Sequence, residues 1–379
     1  MNVAMILEEG RLGGPQIYAT LVAYALKKQI KTTLILPSDI SNSFKQRLQD
    51  SSGVAYQTFK ITRITNNLFS IIQYVLLFLI ETYRIYGYFK RERFDIVYSA
   101  GGSWQYKGLI AGKLAKTKVV WHLNDTYMPF VIRGVFSILS GFADAYIFAS
   151  ERTKKYYLPL IQKERVSFII PQPVDTSYFS TDIIPNRNDD TLLYRNKIVI
   201  GTVASINPIK GLDVLVKAIP RLNNIFNNLL FVVVGPVYKS QTKYFKSLKT
   251  KILELGIDNI QFAGAQYDIR LYLENFDIFV CTSFFESGPM TLWEAMSMEK
   301  AVVTTDVGDV SKYVLSGYSG EVVEVGDVDG LVEKIREFIV DEKKRSSFGS
   351  RAREIVNQNL DVSICAKKHL QAFQRVIEL

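Results

Sequence analysis

Residues 278–296 read IFVCTSFFESGPMTLWEAM, and this stretch decides the fold. Ile278, Phe279 and Val280 end an apolar strand, after which the chain turns at Gly288 and Pro289 and enters a helix. Proline suits the first helical position, because its missing N–H would have no partner there and its φ is already helical. Glu286 then falls in the loop ahead of the helix and Glu294 in its second turn. The free N–H groups of Met290 and Thr291, beside Ser287 and Gly288, point into the same crevice at the positive end of the helix dipole. Such an end binds phosphate. An ionised glutamate, which only accepts hydrogen bonds, suits hydroxyl groups instead. Phosphate on backbone donors and hydroxyls on two carboxylates together describe a nucleotide sugar; the plain alternative is an amphipathic helix with two solvated glutamates.

Upstream, Ile198 to Val203 form a strand, followed by Ser205, Asn207, Pro208, Ile209, Lys210 and Gly211 and then by Leu212, Leu215, Val216, Ile219 and Leu222 at helical spacing. A lysine at the mouth of such a strand–loop–helix unit is a compact cation for a diphosphate, or simply a surface lysine. Phe231 to Val234 and Ile260 to Gly264 are further strands. Asp327 and Asp329 stand near Gly326, Gly330 and a helix start, so they look like turn and cap residues rather than metal ligands. No catalytic metal is expected.

The first half opens with the strand Val3 to Leu7, a loop holding Gly13, Gly14 and Pro15, and a helix marked by Ile17, Leu21, Tyr24 and Ala25. Strand, glycine loop and helix open a doubly wound domain, whose ligands sit outside the carboxyl ends of the strands. The loop lacks the full G-x-G-x-x-G pattern, which disfavours a dinucleotide oxidoreductase. Val119 to His122 end another strand, with Asn124 and Asp125 next. Residues 68–93 are nearly continuous in apolar and aromatic side chains and close with Arg84, Lys90, Arg91 and Arg93. A helix this apolar is buried or lies on something apolar, and aromatics beside a basic cluster suit an anionic membrane surface. No stretch reads as a bilayer-spanning segment. Residues 181–196 are polar and read as a linker.

Glu286, Pro289, Glu294, Ala295 and Met296, followed by the strand Ala301 to Thr305 and by Asp306, Val307 and Gly308, resemble the Glu-x7-Glu signature of retaining glycosyltransferases of family 4. The resemblance extends over nearly the whole chain, with its strong motifs in the second half. It implies the GT-B fold: two doubly wound, Rossmann-like α/β domains facing across a cleft. Residues 1–180 would form the acceptor-side domain, 181–196 the linker and 197–360 the nucleotide-sugar domain, with 361–379 a helix crossing back to the first domain. It further implies that Glu294 accepts from ribose hydroxyls, Glu286 holds the transferred sugar, and His122 contacts that sugar. The diphosphate would lie between Lys210 and the N–H groups of Met290 and Thr291, under the Gly13–Gly14 loop, with the base against the backbone near Gly264. One position departs from the pattern: Ser205 stands where the family carries an arginine, leaving Asn207, Ser205 and backbone donors to compensate.

The implied activity is hexosyl transfer from a nucleotide sugar to a glycan or polyprenyl-linked acceptor in cell-surface polysaccharide synthesis, without a cofactor. Three rivals stand beside it: a nucleotide-sugar hydrolase or epimerase, a catalytically silent nucleotide- or glycan-binding partner, and the oxidoreductase disfavoured above. The composition fits any of them: 379 residues with 48% hydrophobic and 22% charged side chains suggest two to three well-packed domains. Two cysteines, Cys281 and Cys365, suit a reducing compartment. Met1 to Leu7 lack the basic lead and cleavage site of a signal peptide. The expected location is the cytoplasm, with the inner face of the membrane as the place of any contact through residues 68–93. A formal charge of +9 favours anionic partners. Nucleic acid is not among those expected, because no zinc-finger spacing, RNA-recognition signature or basic recognition helix occurs.

Overall fold

The computed structural model describes residues 1–63, 68–126, 128–182, 194 and 196–379. The chain divides into two units, residues 1–173 with 362–379, and residues 174–361. The division falls at Pro173, ahead of the 180 expected from the sequence, because Val174 is already bonded to the far end of the second unit. Its N–H donates to Leu360 O at 2.9 Å, it bridges to Asp361, and Thr176 Oγ1 donates to Asp361 Oδ2 at 2.6 Å. Most of the expected linker, residues 183–193 and 195, lies outside the described residues.

In the first unit β1 (Asn2–Ile6), α1 (Gly14–Leu26), β2 (Lys31–Pro37), α2 (Asn42–Asp50), β3 (Ala55–Phe59), α3 (Leu68–Glu92), β4 (Ile96–Ser99), α4 (Tyr106–Leu114), β5 (Lys118–Leu123), α5 (Phe130–Ser140), β6 (Ala145–Phe148), α6 (Glu151–Tyr157) and β7 (Val166–Ile169) follow in order. Among the described residues their strands form one parallel sheet, β3-β2-β1-β4-β5-β6-β7. Strands covered by helices on both faces need apolar residues in succession rather than in alternation. Accordingly Val3 to Ile6 and Ile96 to Tyr98 are wholly buried.

The second unit alternates β8 (Ile198–Val203), α7 (Leu212–Asn223), β9 (Leu229–Val234), α8 (Thr242–Glu254), β10 (Ile260–Gly264), α9 (Arg270–Asn275), β11 (Ile278–Cys281), α10 (Met290–Ser297), β12 (Ala301–Thr305), α11 (Val310–Tyr313), β13 (Glu321–Val323), α12 (Val328–Val340) and α13 (Glu342–Asn359). Its parallel sheet has the order β10-β9-β8-β11-β12-β13. The last helix, α14 (Val362–Ile377), belongs to the first unit, where Cys365, Ala366, Ala372, Phe373 and Val376 join the core built on Tyr18, Ala19 and Val22 of α1.

One sequence expectation is corrected here. Residues 68–92 form a single helix of 25 residues, long enough and, with a mean hydropathy of 1.5 over 18 residues, apolar enough to cross a membrane by length and composition. Only 22% of that window is buried. Leu68, Phe69, Val75, Leu76, Leu79 and Tyr83 are all exposed, whereas Tyr74, Glu81, Thr82, Ile85 and Phe89 on the opposite face are buried. The charged residues Arg84 and Glu81 interrupt the apolar run, so the sequence alone reads shorter than the helix that forms.

Candidate active site

Both units place their ligand-side loops at a topological switch point, where neighbouring strands send their connections in opposite directions and leave a crevice at their carboxyl ends. In the second unit this point lies between β8 and β11, which pair through Ile278 with Ile200 and Phe279 with Gly201. The loops leaving these two strands are bonded to each other: Phe284 N–H donates to Ile209 O at 2.7 Å and Thr282 Oγ1 to Lys210 O at 3.0 Å. Gly211 makes the approach possible, since its φ of +61° is left-handed and a Cβ there would collide with Thr282 O.

This juncture joins two residues singled out from distant parts of the sequence. Lys210 Nζ forms an ion pair with Glu286 Oε1, and Ser283 Oγ donates to the same oxygen at 2.9 Å. Burial opposes the charge on Lys210, but the Glu286 carboxylate more than offsets it and holds the ammonium above its ordinary range. Asn207 ties down the loop by accepting from Ile209 N–H at 3.0 Å and donating to Ser205 Oγ at 2.9 Å. The hydroxyl of Ser205 is thus part of the loop's own bonding. Ser283 was not singled out from the sequence; its signal is its place three residues ahead of Glu286.

Ser287, Gly288 and Pro289 are buried, and α10 begins at Met290. Pro289 is therefore the cap, with φ −76° and ψ 92°, rather than the first helical residue expected. The first-turn N–H groups of Met290 and Thr291 remain without acceptors inside the helix. Glu294 is buried on α10. Gly308, at φ +55°, lets the loop after β12 close against Ser287 O, which lies 2.8 Å from where a Cβ would stand. Gly264 ends β10 at φ +70° in open space, and its carbonyl accepts from Gly235 N–H at 2.8 Å. Asp327 caps α12 by accepting from Gly330 N–H at 2.9 Å, and Asp329 pairs with Arg221, so the D-x-D pair serves the helix start. Among the described residues no group of three His, Cys, Asp or Glu is arranged to hold a metal ion.

In the first unit the switch point lies between β1 and β4. Gly13 caps α1 in an extended conformation that any residue could adopt, and Gly14 starts the helix ahead of Pro15. Just past β1 is a buried ionic cluster not legible in the sequence. Lys107 is fully buried, with its Nζ 2.7 Å from Glu81 Oε2, 4.0 Å from Glu8 Oε2 and 4.1 Å from the centre of the Tyr74 ring. Glu81 also accepts from Thr62 N–H and Oγ1. Glu8 accepts from Lys107 N–H at 2.8 Å, and burial lifts its carboxyl to about 7.

His122 stands near the carboxyl end of β5, as expected, but its ring is wholly enclosed. It stacks on Tyr18 at 4.6 Å and on Tyr98 at 5.6 Å, and neither ring nitrogen has a hydrogen-bond partner among the described residues. His369 of α14 completes the cluster, meeting Tyr18 Oη at 2.7 Å and Cys365 O at 2.8 Å. Within the first unit His122 is thus a core residue.

Burial lowers both imidazoles, His369 to about 4 and His122, with His369 beside it, well below its ordinary value. The unfolded chain therefore binds more protons below about pH 6.5, and each histidine removes stability as pH falls toward 4, at about 1.4 kcal/mol per pH unit. Glu8, lifted to about 7, acts in the opposite sense between its unfolded value of 4.5 and 7. His122→Phe should accordingly flatten the acid side of the stability curve by about one histidine's slope. Denaturant unfolding between pH 5 and 7 measures this, and an unaltered slope would mean that His122 is solvated.

Residues 184–355 match the family of glycosyl transferases group 1. The chain is 24% identical over 364 residues to the Campylobacter jejuni N,N'-diacetylbacillosaminyl-diphospho-undecaprenol alpha-1,3-N-acetylgalactosaminyltransferase, covering 91% of each chain. It is 24% identical over 296 residues to the Escherichia coli UDP-Gal:alpha-D-GlcNAc-diphosphoundecaprenol alpha-1,3-galactosyltransferase, covering 72% of this chain and 73% of that one. The structure of Anabaena HepE in complex with UDP-glucose superposes with a TM-score of 0.85 at 20% identity, covering 99% of this chain and 100% of that one. The chain is a glycosyltransferase of the GT-B fold, its residues 184–355 belonging to the glycosyl transferases of group 1.

Proposed function

We propose that this glycosyltransferase belongs to family 4 and moves a hexose, with retention of configuration and without a catalytic metal, from a UDP-sugar to a glycan carried on a polyprenyl diphosphate. The observation that carries the reading is the Lys210–Glu286 pair at the β8/β11 switch point, directly ahead of α10. A donor entering there would draw the Lys210 ammonium onto its diphosphate and release Glu286 to the hydroxyls of the sugar. The N–H groups of Met290 and Thr291 would add the helix-end field, and Glu294 would accept from the ribose. Stabilising the charge that grows on the departing diphosphate is then the principal catalytic effect. No protein nucleophile is assigned. The acceptor class follows the names of the two bacterial relatives, both of which act on diphospho-undecaprenol glycans, and the donor nucleotide follows the UDP-glucose in the Anabaena structure.

The same reading places the protein at the inner face of the membrane, in cell-surface polysaccharide synthesis. The exposed apolar face of α3 would lie on the bilayer while its buried face stays packed in the first unit. His122 is assigned to the core rather than to the donor sugar.

Thermal unfolding with UDP, GDP, ADP and CMP sugars, without and with magnesium, tests the donor site. A UDP-sugar at about a hundred times its dissociation constant should add roughly 2.7 kcal/mol, equally in both conditions, and Glu294→Ala should lose most of that gain. No response to any nucleotide sugar would overturn the site. Binding without turnover would favour the silent-partner reading, for which Ser205 in place of an arginine is the specific observation.

A further inference from the structure

A cleft of about 540 Å³ opens between β3 and the basic half of α3, lined by Gln57, Phe59, Arg84, Gly87, Tyr88 and Arg91. Arg84, Gly87 and Arg91 follow one another at three- and four-residue spacing, which sets them on one helix face. A Cβ at Gly87 would meet no atom of the described residues within 4 Å, so the middle of that face is open. The Arg91 guanidinium lies 5.2 Å over the Tyr88 ring and 3.1 Å from Glu92, and Lys90 lies 5.7 Å over Tyr86. Along the same face toward the helix start come Tyr83, Leu79, Leu76 and Ile72, all exposed. The exposed stripe therefore changes from apolar to basic and aromatic at Tyr83 and Arg84.

Given this sequence of surfaces, we propose that the cleft seats the phosphate of an anionic phospholipid headgroup while the apolar stripe enters the acyl boundary of the same leaflet. The inference rests on the reading of α3 as a membrane-contacting helix. Guanidinium groups present forked donors that match phosphate oxygens, and tyrosines beside them suit the headgroup level of a bilayer. The cleft's position separates it from the substrate crevice. Strand β3 is the sheet edge, two strand spacings, about 10 Å, from β1.

Co-sedimentation with vesicles of phosphatidylcholine alone, and of phosphatidylcholine with phosphatidylglycerol, tests this in the full chain. The wild type should prefer the anionic vesicles. Arg84→Gln with Arg91→Gln should lose about thirtyfold on them, at about 1 kcal/mol for each basic side chain near the surface, and nothing on neutral vesicles. Lysine at both positions keeps the charge without the fork and should fall between. Lysine variants that bind fully would reduce the cleft to a diffuse basic surface and overturn the proposal. An undiminished glutamine pair would overturn the cleft while leaving the membrane reading of α3 intact, whereas a wild type that binds neither vesicle would overturn both. Inorganic phosphate at matched ionic strength should not displace the protein from anionic vesicles; displacement would assign the cleft to a soluble phosphate instead. Both arginines are exposed, so the variants should melt with the wild type.

Discussion

Lys210→Ala should lower kcat on the order of a hundredfold or more, the usual cost of removing one donor aimed at a developing charge. Lys210 is the side-chain cation that the geometry brings to the β8/β11 crevice, where Asn207 and Ser205 are occupied with each other. The substitution leaves Glu286 with its bond from Ser283, so the loop keeps its shape. The effect should therefore fall more on turnover than on donor binding, while Glu294→Ala should fall more on binding. Steady-state kinetics separates the two, because losing an interaction made chiefly in the transition state lowers kcat, whereas losing uniform binding raises KM. A kcat within about threefold of the wild type would remove Lys210 from the mechanism.

Lys107→Met should destabilise the first unit by about 3–5 kcal/mol, the range seen when one member of a buried ion pair is removed. Lys107 and Glu81 are enclosed at 0% and 4% side-chain exposure, so the Glu81 charge would keep only its bonds from Thr62. Because Glu81 lies on α3, Lys107 on α4 and Glu8 two residues past β1, the loss should loosen the packing of α3 against α4 and the carboxyl end of β1. Adding Glu81→Gln should restore part of the stability, since replacing both charges is far cheaper than stranding one. Denaturant unfolding of the two variants checks this. A single-variant loss below about 1 kcal/mol would show that water reaches the cluster.

Much of the fold can be traced to local runs of sequence. Ile198 to Val203 and Ala301 to Thr305 are strands with the bounds expected, because buried parallel strands leave runs unbroken by turn residues. Lys210, Glu286 and Glu294 were legible one by one from their places beside strands and a helix start. Their meeting was not, because the pair depends on Gly211 allowing two loops far apart in sequence to touch. The burial of His122 depends on Tyr18 and Tyr98, both of which pack on His369 of the last helix, and no local pattern around residue 122 reveals this. Lys107 and Glu81 look like solvated charges when each is taken alone. The apolar run at residues 68–89 is equally compatible with a core helix and an exposed one; only the packing of α3 shows which side chains stay outside.

The most direct test of the account is a transfer assay with purified protein, UDP-hexoses and an undecaprenyl-diphosphate-linked saccharide. It follows UDP release and glycolipid formation, with the new anomeric centre assigned by proton coupling. The account predicts UDP and extended glycolipid in equal amounts, with an α-linkage from an α-configured donor. UDP released without any extended glycolipid, or a linkage of inverted configuration, would contradict it.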